Sequence, residues 1–274
     1  MDYTIISTYL DYCKTHKRLS SHTLRAYKND LIQFCNSDHD CVVSYIEYLT
    51  NSAIKTNTLR RKIASLKVFY SYLMTQNIIS ENPFNQLRFQ FRTEKTLPKI
   101  IPHNILKNLY AYLKQKVITS KTNFQRQKAE RNLLIVSILL STGIRISELC
   151  HIQIKNINLQ NQTLHIFGKG KKERIIFLGD ETTVLLLKTY LANYCNQSDK
   201  YLFPGKFSQK PLTEQSVRLV LKTVREQMNL ATAITPHMFR HSFATMLLDN
   251  DVDILNNPPT PGIYTLSLTD VLPI

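Results

Sequence analysis

Three short segments place arginine, lysine and histidine where they could handle a phosphate. In Gly143-Ile144-Arg145-Ile146-Ser147-Glu148-Leu149, an arginine follows a helix stop and an acid stands three residues on. A guanidinium suits a phosphate because its planar fork donates two parallel hydrogen bonds. Glu148 would hold that fork in place; the plainer alternative is a surface pair between Arg145 and Glu148. The second segment is the basic turn Gly168-Lys169-Gly170-Lys171-Lys172-Glu173-Arg174. A glycine-flanked lysine reaches where strands cannot, so Lys169 could protonate the leaving oxygen in phosphodiester cleavage. A solvated turn would look the same. No G-x-x-x-x-G-K-[ST] spacing occurs, which excludes a Walker-type phosphate loop. The third segment is Thr235-Pro236-His237-Met238-Phe239-Arg240-His241. His237 and Arg240 are three apart and share one helix face. Together they could bind a phosphate and assist proton transfer, although a capping or core histidine fits the same spacing.

The elements that must carry these segments are mostly helical. Residues 1–85 read as four helices. Ser20-Ser21 can cap one whose apolar face is Leu24, Tyr27, Leu31 and Phe34, and another has Leu59, Ile63, Leu66, Tyr70 and Leu73 at helical spacing. The other side of the latter carries Arg60, Arg61, Lys62 and Lys67, which reads as a phosphate-contacting face or a merely solvated one. Asn82-Pro83 ends this region, and the charged, aperiodic stretch from Gln86 to Pro98 reads as a linker. Beyond Pro102 the helical pattern resumes. Asn132–Leu140 is a nearly all-apolar helix stopped at Thr142-Gly143. Thr163–Phe167 and Arg174–Leu178 read as two strands around the basic turn. A helix from Thr213 turns Val217, Val220, Leu221, Val224 and Met228 inward and Arg218, Lys222 and Arg225 outward. A last one follows Pro236, which suits a first helical turn.

Composition bounds the partner. The chain has 274 residues and 43% hydrophobic content, enough for two cores when domains run to ~100–150 residues. Lys and Arg number 35 against 20 Asp and Glu, a formal charge of +15. Such an excess attracts polyanions; on charge alone nucleic acid, an anionic membrane and plain solubility all stay open. Cys13, Cys35, Cys41, Cys150 and Cys195 include no C-x-x-C pair; the odd count and lack of a signal peptide point to reduced, buried thiols in a cytoplasmic protein. No apolar run reaches the ~20 residues a bilayer needs, so no membrane partner is expected.

Taken in order and spacing, T-G-I-R-I-S-E-L, G-K-G-K-K-E-R and T-P-H-M-F-R-H-S-F-A-T-M-L-L resemble the tyrosine recombinase (phage integrase) family, nearest to the bacterial Xer-type integrases. S-S-H-T-L-R-A-Y-K-N-D-L near the N-terminus is similar to that family's core-binding domain. The resemblance spans about residues 1–254. It implies a mainly α fold. A helical core-binding (SAM-like) domain would occupy 1–88, with a linker over 89–98. A mixed α/β catalytic domain with a small antiparallel sheet, the DNA breaking-rejoining fold, would occupy 99–254. The two domains of such proteins clamp double-stranded DNA and work beside further recombinase subunits. One strand is cut at a time through a 3′-phosphotyrosyl bond, which retains the phosphodiester energy, so neither metal nor cofactor is implied. By motif matching, Arg145 and Arg240 would clamp the scissile phosphate, Lys169 would be the general acid, His237 would assist proton transfer and Glu148 would support the arginines. Arg60, Arg61, Lys62 and Lys67 would contact DNA.

The pattern holds through Ile254 and then breaks. The next residues are Leu255-Asn256-Asn257-Pro258-Pro259-Thr260-Pro261-Gly262, which cannot continue a helix. The second active-site histidine of the family is missing, and Tyr264, earlier than the pattern requires, has no matching flank. The expectation is an atypical tail over 255–274 and a chain that binds DNA but cleaves poorly. Two alternatives stay open: a recombinase using Tyr264 or a partner's tyrosine, and a DNA-binding regulator without chemistry. Only cleavage would leave a covalent protein–DNA adduct.

Overall fold

The computed structural model describes residues 3–39, 41–87, 89, 91, 99–168, 173–196, 199–206 and 209–249. Lys169, Tyr264, the tail from 255 and most of the expected linker lie outside the described residues. The chain divides into two compact units, residues 1–96 and 97–274.

The first unit contains α1 (Tyr3–Thr15), α2 (Ser21–Cys35), α3 (Val42–Asn51) and α4 (Thr56–Thr75), followed by a single 3-10 turn at Pro83–Asn85. Ser20 starts α2 as the sequence predicts: its hydroxyl accepts the N–H of Thr23 at 3.2 Å, satisfying a donor left free by the first helical turn. Leu59, Ile63, Leu66, Tyr70 and Leu73 of α4 are all buried and join Tyr9, Leu31 and Phe69 in one core. Lys62 departs from its expected place on the outward side. It is buried at 8% exposure, because it stands three residues after Leu59 and four before Leu66, on the stripe that faces inward.

The second unit is built around α6 (Asn123–Thr142), which packs against α5 (His103–Ile118), α8 (Glu181–Tyr194) and α10 (Pro236–Asp249). Every residue of α6 from Leu133 to Thr142 is buried, so the C-terminal half of this helix has no solvent face to be amphipathic about. It begins nine residues before Asn132, where the sequence reading starts it, with Thr122 capping the N–H of Gln125 at 3.2 Å. Gly143 stops it in the left-handed region, φ 56°. The short α7 (Ile146–Cys150) follows at once, and α9 (Glu214–Gln227) packs against α7.

A three-stranded antiparallel sheet, β1 (Ile157–Asn158), β2 (Thr163–Phe167) and β3 (Glu173–Phe177), stands in the order β1-β2-β3. β2 has its expected bounds, whereas β3 begins one residue earlier than predicted. The two-residue β1 is too short to leave a periodic signal. In the register Ile166 pairs with Arg174 and Phe167 with Glu173.

The expectation that all five thiols are buried holds only for Cys13 and Cys150. Cys35 and Cys195 are half-buried and Cys41 is exposed. Cys41 heads α3, where its sulfur accepts the N–H of Ser44 at 3.5 Å. A capping position places a side chain at the helix end rather than in the core. Among the described residues no helix is long and apolar enough to cross a membrane.

Candidate phosphate-binding site

α6, α7, β3 and α10 each bring one part of a positive pocket. The centre is Glu148 on α7, only 4% exposed. Its Oε2 accepts the backbone N–H of Arg145 at 2.9 Å, the reach-back that closes the first turn of α7. Its Oε1 accepts Nη1 of Arg145 at 3.0 Å. From β3, Arg174 donates Nη1 to Oε1 at 3.0 Å and Nη2 to Oε2 at 2.6 Å, a bidentate fork. An ionised carboxylate offers about four acceptor sites, and all are used.

Arg174 reaches Glu148 because of strand alternation. Its neighbours Glu173 and Ile175 are exposed, whereas Arg174 and Ile176 are part-buried on the side of Leu164 and Ile166. The sequence reading gives Arg174 as the end of the basic turn and the first residue of a strand, without assigning it to either face. The two-residue period of Glu173-Arg174-Ile175-Ile176-Phe177, read from one residue earlier, is the signal that places it inward.

Arg240 arrives from α10. Met238, Phe239, Ser242, Phe243 and Leu247 bury one side of that helix, and Arg240 lies partly buried at its edge. Its Nη1 donates to the carbonyl of Gly143 at 2.8 Å. The left-handed turn at Gly143 therefore does two things: it ends α6, with its N–H bonded to the Leu139 carbonyl at 3.1 Å, and it aims its own carbonyl at Arg240. A Cβ at this position would overlap the Phe243 ring.

The electrostatics follow from three guanidiniums around one carboxylate. Burial pushes Glu148 towards its neutral form, but the hydrogen bonds from Arg174 and from the Arg145 backbone and side chain outweigh it and hold the carboxyl below its ordinary range. Arg240 is held below the usual arginine value by burial first and by repulsion from Arg145 and Arg174, with Glu148 opposing. The pocket remains positive, and the Arg145 side chain is 52% exposed. Among the described residues, the second terminal nitrogens of Arg145 and Arg240 make no hydrogen bond to protein. The arrangement suits an oxyanion with several acceptor oxygens.

Of the residues singled out from sequence, Arg145, Glu148 and Arg240 come together. His237 is exposed, one turn before Arg240 on the same helix. Thr235 accepts the N–H of Met238 at 3.4 Å at the head of that helix. In the first unit Arg60 and Lys67 are exposed on α4. Arg61 is bonded to the buried Asp30, which also accepts the Ser65 hydroxyl at 2.9 Å. Lys62 is bonded to Gln33 and lies 3.8 Å from Asp30; burial lowers its pKa and Asp30 partly restores it.

Residues 101–256 match the Phage integrase family, and residues 6–77 match the phage integrase N-terminal SAM-like domain. A tyrosine recombinase of Agathobacter rectalis is 42% identical over 279 residues, covering 98% of this chain and 90% of the relative. Tyrosine recombinase XerC of Staphylococcus haemolyticus is 32% identical over 275 residues, covering 96% and 89%. The fold is similar to that of XerH recombinase in a pre-cleavage complex with its difH substrate, with a TM-score of 0.66 at 20% identity over 97% of this chain and 78% of that one. A post-cleavage XerH complex on palindromic difH gives 0.68 at 22% identity over 90% and 75%.

Proposed function

This chain belongs to the Phage integrase family, that of the site-specific tyrosine recombinases, and on that premise we propose that it grips duplex DNA and presents its arginine pocket to one backbone phosphate. The observation that carries this reading is the convergence of Arg145 and Arg240, each with guanidinium donors to spare, beside the buried carboxylate of Glu148. Both would hold the non-bridging oxygens, where charge grows as a phosphodiester is attacked, and preplaced guanidiniums stabilise that charge best in the transition state. Lys169 would protonate the leaving 5′ oxygen and His237 would assist proton transfer. Arg60 and Lys67 are exposed cations on α4, suited to sequence-independent phosphate contacts. The setting would be the cytoplasm, with further recombinase subunits on the same DNA.

The finer reading is that this chain binds without cutting. The family match runs to residue 256. Beyond it the sequence sets Pro258, Pro259, Pro261 and Gly262 close together, residue types that disfavour a helix, and Tyr264 lacks the family's flank.

The test is affinity for a labelled duplex as a function of salt, for wild type, Arg145→Ala, Arg240→Ala and the double variant. Binding should weaken steeply with salt, with log K falling by about 0.9 per phosphate neutralised for each unit of log salt. If the two arginines share one phosphate, their losses are coupled, by roughly 0.5–3 kcal/mol in a double-mutant cycle. A flat salt dependence sinks the DNA reading. Strictly additive losses sink the shared phosphate.

A further inference from the structure

Glu148 is claimed twice. Arg145 takes it with one terminal nitrogen and its backbone N–H, and Arg174 takes both oxygens with the two ends of its guanidinium. The allocation has a consequence for the pocket. A guanidinium beside a free carboxylate prefers the bidentate fork. Were Arg174 absent, Arg145 could turn both terminal nitrogens onto Glu148, and its outward edge would be lost to a ligand. With Arg174 in place the carboxylate has no acceptor site left, and Arg145 is confined to a single side-chain bond.

We infer that Arg174 is a positioning residue of the phosphate pocket: it saturates Glu148 and so keeps the free edge of Arg145 turned towards the ligand without touching the ligand itself. This rests on the reading of the pocket as a phosphate site and extends it to a residue on a different element. Arg174 is suited to the role by where it stands. It is half-buried on the inward side of β3, cross-strand from the buried Ile166, so its backbone is fixed by the sheet. Both of its terminal nitrogens are already spent on Glu148. Arg145, by contrast, has half of its side chain in solvent and donors to spare. Charge alone does not perform this task. A lysine would supply the same positive charge from a single point and could not cover both oxygens at once.

The experiment follows the arginine Nε–H resonances of the full chain by NMR while inorganic phosphate is added. In wild type, phosphate should move the Arg145 and Arg240 signals, and Arg174 should keep separate, slowly exchanging Nη signals with and without phosphate because both ends are held. In Arg174→Gln and in Arg174→Lys, affinity for phosphate should fall roughly tenfold, the lower end of what loss of an outer partner costs at metal sites. If Arg145 and Arg240 move in wild type but either variant keeps wild-type affinity, Arg174 is not positioning the pocket, and the phosphate reading survives. If neither Arg145 nor Arg240 responds in wild type, the phosphate reading itself fails and this inference falls with it. Should both variants unfold, the wild-type signals still decide: averaged Nη resonances for Arg174, or a phosphate response at Arg174 equal to that at Arg145, overturn the assignment.

Discussion

At the scale of single residues, the pocket depends on a carboxylate kept ionised in a place that disfavours charge. Burial opposes the charged form of Glu148, and four hydrogen bonds from two arginines reverse the outcome. Its folded pKa therefore lies below its unfolded one, near 4.3 for an ordinary glutamate. A depressed acid stabilises the fold fully above the unfolded pKa, and that stability is lost as pH falls through the folded value. Glu148→Gln removes the charge and leaves two guanidiniums facing a neutral amide. We expect it to cost about 3–5 kcal/mol, as for breaking a buried pair, measured by urea unfolding at neutral pH. The gap between wild type and variant should close as pH drops below the ordinary glutamate range. A gap that stays constant down to strongly acidic pH would show that the charge of Glu148 is not what holds the pocket.

At the scale of elements, the junction of α6 with α10 sets Arg240. α6 is buried along its C-terminal half, Gly143 ends it, and Phe243 of α10 packs against the glycine where a side chain would otherwise be. Gly143→Ala has to adopt a left-handed backbone, at about 1–2 kcal/mol for an L residue, and must also displace the Phe243 ring. A loss of at least that size is expected in chemical unfolding. Because the Gly143 carbonyl receives the Arg240 guanidinium, the phosphate response of the Arg240 Nε–H should weaken as well. Unchanged stability in the alanine variant would mean that α10 can move away at no cost. An unchanged Arg240 response would mean that the carbonyl does not orient it.

At the scale of the whole molecule, the excess of 15 positive charges and the membership of a recombinase family make binding to DNA the expected property, and cleavage a separate one. An attacking hydroxyl must come within roughly 3–3.5 Å of phosphorus, in line with the leaving oxygen. A tyrosine without the family's flank gains nothing from a good pocket. We expect no covalent adduct when this chain alone is incubated with a nicked suicide substrate that traps a 3′-phosphotyrosyl species, and Tyr264→Phe should leave DNA affinity unchanged. An adduct formed by wild type and abolished in the Phe variant would make Tyr264 the nucleophile and this chain an active recombinase.

The sequence by itself determined the parts whose information is local. Periodicity placed the α4 core stripe, a serine marked the start of α2, Thr142-Gly143 marked the end of α6, and motif order marked Arg145, Glu148 and Arg240. Each of these is a matter of backbone preference or side-chain spacing within a few turns of chain. Lys62 is the exception: its charge suggests an outward place, whereas its spacing from Leu59 and Leu66 puts it on the buried stripe. What only the tertiary structure decided is how one carboxylate is shared. Arg174 is 26 residues from Glu148, and the bond between Arg240 and the Gly143 carbonyl spans 97. Nothing in the local sequence states which of several arginines will spend its donors on Glu148 and which will keep them. That depends on the inward side of β3 meeting α7 and on α10 packing against the end of α6. These are contacts between elements, and they exist only once the chain has folded.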